Sequence, residues 1–230
     1  MSKPLPSPDS IPPPPADLQA LRQIGAQQWQ AVLGAPARQA VQWMTEAARL
    51  GHADAQAVLA QWSLDGHGMP RNPANAFAWF LKAAQQGHAM ATNMVGRCYE
   101  NGWGVAQDLQ HAIRWYRHAA DKGLDAGLYN LANQHARGQG MPRDDARALA
   151  LYLQAAGLGH AKSMTKAGRY YEDGLGVAAR DAERAMDLYR QGALGGDFRG
   201  QYQYARMLAE RGDIEAALEW LGRVPLTATP

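Results

Sequence analysis

One cysteine in 230 residues, Cys98, rules out an internal disulfide framework and fits a reducing compartment. Phenylalanine occurs three times and β-branched residues are scarce, which argues against a sandwich, a barrel or a large parallel sheet. Neither sign of charge prevails. Lys plus Arg is 23 and Asp plus Glu is 21, and a balance of +2 makes no global case for nucleic acid or a membrane surface. No apolar run approaches the roughly 20 residues that span a bilayer. A secretory leader needs a basic start and an apolar core, whereas Met1 to Ala16 holds seven prolines. The expectation is a soluble, cytoplasmic chain with an extended or disordered proline-rich head. What is abundant is small: 44 Ala and 24 Gly, the composition of helices packed at close range.

These small residues are periodic. Gly51-His52-Ala53 returns as Gly87-His88-Ala89 and Gly159-His160-Ala161, with Gly123-Leu124-Asp125-Ala126 in the slot between, a period of 36 residues. The same period carries Gly66/Gly68, Gly102/Gly104, Gly138/Gly140 and Gly174/Gly176, and the Ala pairs at 47–48, 83–84, 119–120 and 155–156. It also carries Trp43-Met44, Trp79-Phe80, Trp115-Tyr116 and Leu151-Tyr152. In the second unit Ala91, Val95 and Tyr99 share one face of a first helix that stops at Gly102. Asp108 then caps a second helix, as Asn72, Asp144 and Asp181 do in their units, and Ala112, Trp115, Tyr116, Ala119 and Ala120 form its apolar stripe. A hairpin this small cannot bury both faces, so the units must stack.

The run Val95-Gly96-x-x-Tyr99-x-x-Gly102-x-Gly104-Val105-x-x-Asp108, followed by Ala112-x-x-Trp115-Tyr116-x-x-Ala119-Ala120-x-x-Gly123, resembles the Sel1-like repeat almost position for position. The resemblance implies an all-α, right-handed solenoid of helix-turn-helix units that binds other proteins. The units read as a proline-rich head (1–16), capping helices with a half repeat (17–50), repeats at 51–86, 87–122, 123–158 and 159–195, a divergent tetratricopeptide-like unit (196–224) and a tail (225–230). Trp62-Ser63 and His135 depart from the family pattern, and Arg211-Gly212-Asp213 replaces the last GxG loop. Similar short bacterial proteins lie beside iron-uptake genes and Fe(II)/2-oxoglutarate hydroxylases, so the resemblance offers such an enzyme as a partner.

Other chemistry is weakly signalled. His52, His88 and His160 recur a whole repeat apart, too far to converge on a metal. Ser163-Met164-Thr165-Lys166 matches the SxxK pattern of penicillin-recognising enzymes, but the SDN and KTG partners are missing, which leaves a β-lactam-binding or hydrolytic role for Ser163 and Lys166 as the alternative reading. The GxG pairs lack the rest of any phosphate-binding fingerprint and read as turns. Cys98 reads as a packed thiol. No cofactor or metal is implied.

In stacked hairpins the first helices line the inner face, and residues projecting there recur as rows. By analogy with tetratricopeptide geometry, one row is Gln61, Arg97, Asn133, Arg169 and Arg206; the next is Asp54, Met90, Ala126, Lys162 and Arg199; a third is Ala57, Asn93, Tyr129, Thr165 and Tyr202. With Lys166 added, the C-terminal half is expected to be basic, and Glu100 and Glu172 partly offset it. The candidate partner-binding residues are therefore Asn93, Arg97, Tyr129, Asn133, Lys162, Lys166, Arg169, Arg199, Tyr202 and Arg206. Arg forks, amides and aromatic rings in a groove suit an extended peptide carrying acidic residues or a free carboxylate. The sequence carries no signal for oligomeric state.

Overall fold

The structure, a computed structural model, describes residues 11–224 and is all-helical among them. The tails at 1–10 and 225–230 lie outside the described residues. Two compact units divide the chain within one helix, at Trp115 and Tyr116. The first holds α1 (Leu18–Arg22), α2 (Ala26–Leu33), α3 (Ala37–Arg49), α4 (Ala53–Asp65), α5 (Pro73–Gln85), α6 (Ala89–Asn101) and the start of α7 (Leu109–Asp121). The second holds the rest of α7, then α8 (Asp125–Arg137), α9 (Asp145–Gly157), α10 (Ala161–Asp173), α11 (Ala182–Leu194), α12 (Phe198–Glu210) and α13 (Ile214–Arg223).

Each helix from α3 to α12 is 13 residues long. Thirteen residues make a rod of about 20 Å, and equal rods pair along their whole length. The second residue of each aromatic pair fills the interior, Met44 and Phe80 in the first unit and Tyr116 and Tyr152 in the second, and Tyr189 continues the row one position late; all are within 2 % of full burial. Alanines fill the space between helices, with Ala47, Ala55, Ala76, Ala83 and Ala91 wholly buried in the first unit and Ala119, Ala132, Ala148, Ala155 and Ala167 in the second. Cys98 belongs to this core; it is buried, and burial pushes its thiol up to about 11, so it is inert as a nucleophile.

The paired glycines have different tasks. Gly102 ends α6 in the left-handed conformation (φ 70°), its N–H donating to the Cys98 carbonyl. Gly104 (φ 73°) carries the loop against the start of the preceding hairpin's second helix, where a Cβ would stand 2.1 Å from the Pro73 oxygen. The GxG loop is thus both a helix stop and the seat of one hairpin on the next.

The repeated histidines are helix caps. His52, His88 and His160 each turn Nδ1 onto the backbone N–H three residues on (Ala55, Ala91 and Ser163), at 3.3, 3.0 and 3.2 Å. An accepting Nδ1 requires the neutral ring. Burial is the main cause that holds His52 and His160 below 6.5; for His52, Asp54 opposes it and Arg22 assists, and for His160, Asp125 and Asp197 oppose it and Lys162 assists. Above about pH 6.5 folded and unfolded rings are both neutral and stability is whole; below it the unfolded chain takes up protons first, so stability falls as the pH drops towards the lowered native values. The thermal midpoint is expected to fall between about pH 7.5 and pH 5.5, and the double substitution His52→Asn and His160→Asn, which keeps a capping acceptor that does not titrate, to flatten that fall.

In the first unit the described part of the proline-rich stretch lies along α3. Trp43 Nε1–H donates to the Pro12 carbonyl (3.1 Å), and Ile11 packs against the cluster of Trp43, Leu21 and Val32.

Candidate functional site

In the second unit three first-of-hairpin helices, α8, α10 and α12, present one turn after another to a common hollow. Tyr129 and Arg137 come from α8, Lys162, Thr165, Lys166 and Arg169 from α10, and Arg199 and Gln203 from α12. Asp197, just before α12, and Tyr189 of α11 complete the lining of a cavity of about 310 Å³. Glycine brings these helices together. A Cβ at Gly200 of α12 would stand 2.7 Å from Thr165 Oγ1 and 2.9 Å from the Ala193 nitrogen, so α12 lies directly on the backbone of α11 and on the Thr165 hydroxyl of α10.

Five cations thus face one carboxylate. Arg169 reaches Asp173 at 3.3 Å, an exposed pair of small energetic weight. Lys162, Lys166 and Arg199 have no carboxylate partner among the described residues, and Arg199 lies over the Phe198 ring (4.6 Å). Burial depresses Lys166 below the usual lysine range, and Arg169, Arg137 and Arg199 push the same way against Asp197. The charged amine is therefore held at a cost that an incoming anion would relieve. Tyr129 closes one side, its ring 4.9 Å from His160. A second hollow of about 190 Å³ adjoins, sharing Arg137, Lys166 and Arg169 and floored by Tyr152, Tyr170 and Leu175.

Five of the ten expected residues meet here: Tyr129, Lys162, Lys166, Arg169 and Arg199. Arg206 does not. Its guanidinium is committed to Glu172 and to Glu210 (2.6 Å), while the buried Tyr189 hydroxyl donates to Glu172 (2.6 Å), so Arg206 completes an internal network. Asn133 lines the second hollow, but its Oδ1 accepts from the Tyr152 hydroxyl (2.6 Å). Tyr202 is 53 % exposed on α12, outside the cavity lining. In the first unit Asn93 is 3 % exposed and offers no amide to a partner, a correction to its place on the inner face. Arg97 is exposed but folds its guanidinium over Trp103 (5.1 Å).

Arg137, Asp197 and Gln203 were not anticipated. The signal for two of them is in the repeat. The row Asp65, Asn101, Arg137, Asp173 and Glu210 is acidic or amide except in the third unit, where a cation enters. Likewise Asp197 stands in the slot of His52, His88 and His160.

Ser163 is wholly buried, and its hydroxyl lies 2.8 Å from His160 Nδ1. It does not line the cavity into which Lys166 projects. A nucleophile must be reachable, so the SxxK pair is not arranged for acyl transfer. A fluorescent penicillin is expected to leave the protein unlabelled; a stoichiometric label lost in Ser163→Ala would reverse this assignment. Among the described residues no three His, Cys, Asp or Glu side chains are grouped to hold a metal, and no helix is long and apolar enough to cross a membrane.

Comparison with known proteins agrees with the fold. The Sel1 repeat model matches residues 37–52, 53–88, 89–124, 125–160, 161–197 and 199–223. The crystal structure of a Sel1 repeat protein from Oxalobacter formigenes superposes with a TM-score of 0.78 at 26% identity, over 86% of this chain and 81% of that one. The protective antigen c5321 of uropathogenic Escherichia coli, which displays an SLR fold, gives 0.72 at 29% identity over 86% of this chain, which spans 44% of its length. The Pseudomonas aeruginosa immunity protein Pa5087 shares the fold at 19% identity, with a TM-score of 0.59 over 90% of this chain and 77% of that one. No curated protein sequence matches the chain.

Proposed function

Because the chain belongs to the Sel1 repeat family, whose members are solenoids of helix hairpins that generally serve as protein-interaction scaffolds, we propose that it is a non-catalytic adaptor and that the cavity of its second unit receives an acidic segment of a partner protein. One observation carries this reading. Lys162, Lys166 and Arg199 converge on a cavity without carboxylate partners among the described residues, beside Arg137 and Arg169. Charged donors held ready by a folded scaffold bind carboxylates through charge-assisted hydrogen bonds, and Tyr129 adds an aromatic wall. The chemistry suits acidic side chains or a free carboxylate in an extended peptide, in a cytoplasmic setting. A Fe(II)/2-oxoglutarate hydroxylase is accommodated as the partner if it presents such a segment. Nucleic acid is disfavoured, since a balance of +2 over the whole chain supplies no general attraction for a phosphate backbone.

Fluorescence anisotropy with a labelled peptide rich in Asp and Glu, against its Asn and Gln counterpart, tests the reading. The acidic peptide is expected to bind, and more weakly as salt rises; equal binding of the two would refute it.

A further inference from the structure

The cavity has a feature that a plain cation patch lacks. Asp197 is 5 % exposed, and its Oδ1 is buried without a hydrogen-bond partner among the described residues. Aspartate is among the best helix-capping residues, and the backbone of Asp197 (φ −77°, ψ 112°) is placed to start α12, yet its side chain makes no cap bond. A buried acceptor left unmatched is costly, so the conformation is suited to a donor that arrives with the ligand. The adjoining hollow, floored by Tyr152, Tyr170 and Leu175, gives such a ligand one direction in which to continue. At about 310 Å³ the cavity itself stands at the small end of ligand pockets, a fit for a chain end rather than for a segment passing through.

Resting on the reading above, we infer that the group received in this cavity is the free C-terminal residue of the partner polypeptide. Its α-carboxylate lies among Lys162, Lys166 and Arg199, the amide N–H on the same carbon donates to Asp197 Oδ1, and the preceding side chain rests over the tyrosine-floored hollow. An internal Asp or Glu cannot present anion and N–H as one rigid unit, because its carboxylate hangs on a flexible side chain away from the backbone amide. Asp197 then acts as the residue that selects a chain terminus from anions in general.

The test uses four labelled peptides on the full chain. One is an N-acetylated tetrapeptide ending in Leu-Asp with a free C terminus; two others are the same peptide amidated and the same peptide N-methylated at its last amide. The fourth is an internal acidic peptide blocked at both ends. Amidation and N-methylation are each expected to weaken binding about tenfold or more. Asp197→Ala, which removes the acceptor itself, is expected to weaken the free acid by about tenfold, although it also removes a negative charge from a site for anions, and to leave the N-methylated peptide unchanged. Tighter binding of the free acid by Asp197→Ala, or equal binding of acid and amide, would overturn the inference. If the blocked internal peptide binds as well as the free acid, the terminus inference fails and the adaptor reading stands; if no acidic peptide binds, both fail. The N-methyl comparison on the unaltered protein needs no variant to fold.

Discussion

Gly104→Ala is expected to be the most destabilising single methyl that can be added to the first unit. Two costs combine. The left-handed backbone (φ 73°) costs an alanine about 1–2 kcal/mol, and the new Cβ would stand 2.1 Å from the Pro73 oxygen and 2.4 Å from its carbonyl carbon. These are backbone atoms at the start of α5, so no rotamer change relieves the overlap and the loop must lift from the helix it rests on. Overpacking of this kind costs about 1–3 kcal/mol more. The expected loss is about 3 kcal/mol or more, read as a lower urea midpoint. Gly123→Ala in the second unit is the control: its φ is 76°, but nothing lies within 4 Å of the added methyl. It should cost only the backbone part, about 1–2 kcal/mol. Equal losses would show that the close approach at Gly104 contributes nothing.

The largest functional effect is expected from Lys166→Glu. Lys166 stands where the two hollows meet, partly removed from water, so its charge is screened less than that of an exposed lysine. Reversing it replaces an attraction by a repulsion in the half-buried middle of the site. A loss of about 2 kcal/mol or more, roughly thirtyfold in affinity for the acidic peptide, follows from what partly buried charge pairs contribute. Stability should move the other way or not at all, because the substitution relieves repulsion from Arg137, Arg169 and Arg199. Unaltered helical circular dichroism and an undiminished thermal midpoint, together with lost binding, separate function from folding. Arg206→Glu is the wrong probe, since it would break the contacts with Glu172 and Glu210.

The architecture was legible because each repeat restates it. Asp108, Asp144 and Asp181 occur where capped helices begin, and the aromatic pairs where the interior is, so a single sequence carries its own comparisons. Contacts between residues far apart were not legible in the same way. Gly104 looks like a second turn residue until Pro73, 31 positions earlier, is seen against it. Arg206 looks like a free member of a basic row until Glu172, 34 positions earlier, is seen to hold it. The histidine caps escaped notice for another reason: a ring nitrogen can cap a helix, but His is not among the residues expected there. Arg137 and Asp197 were visible as breaks in their rows. A break in a repeat is where function can depart from scaffold, because stacking alone favours the shared residue.

Binding of a partner in the second unit's basic cavity is the step on which the proposed function rests. Its most direct test is a two-dimensional NMR titration of the uniformly labelled protein with the acidic peptide. Backbone shifts are expected to move along residues 129–137, 162–169 and 197–203, and to stay still along α3 to α6. Shifts centred on the first unit, or none at saturating peptide, would contradict it.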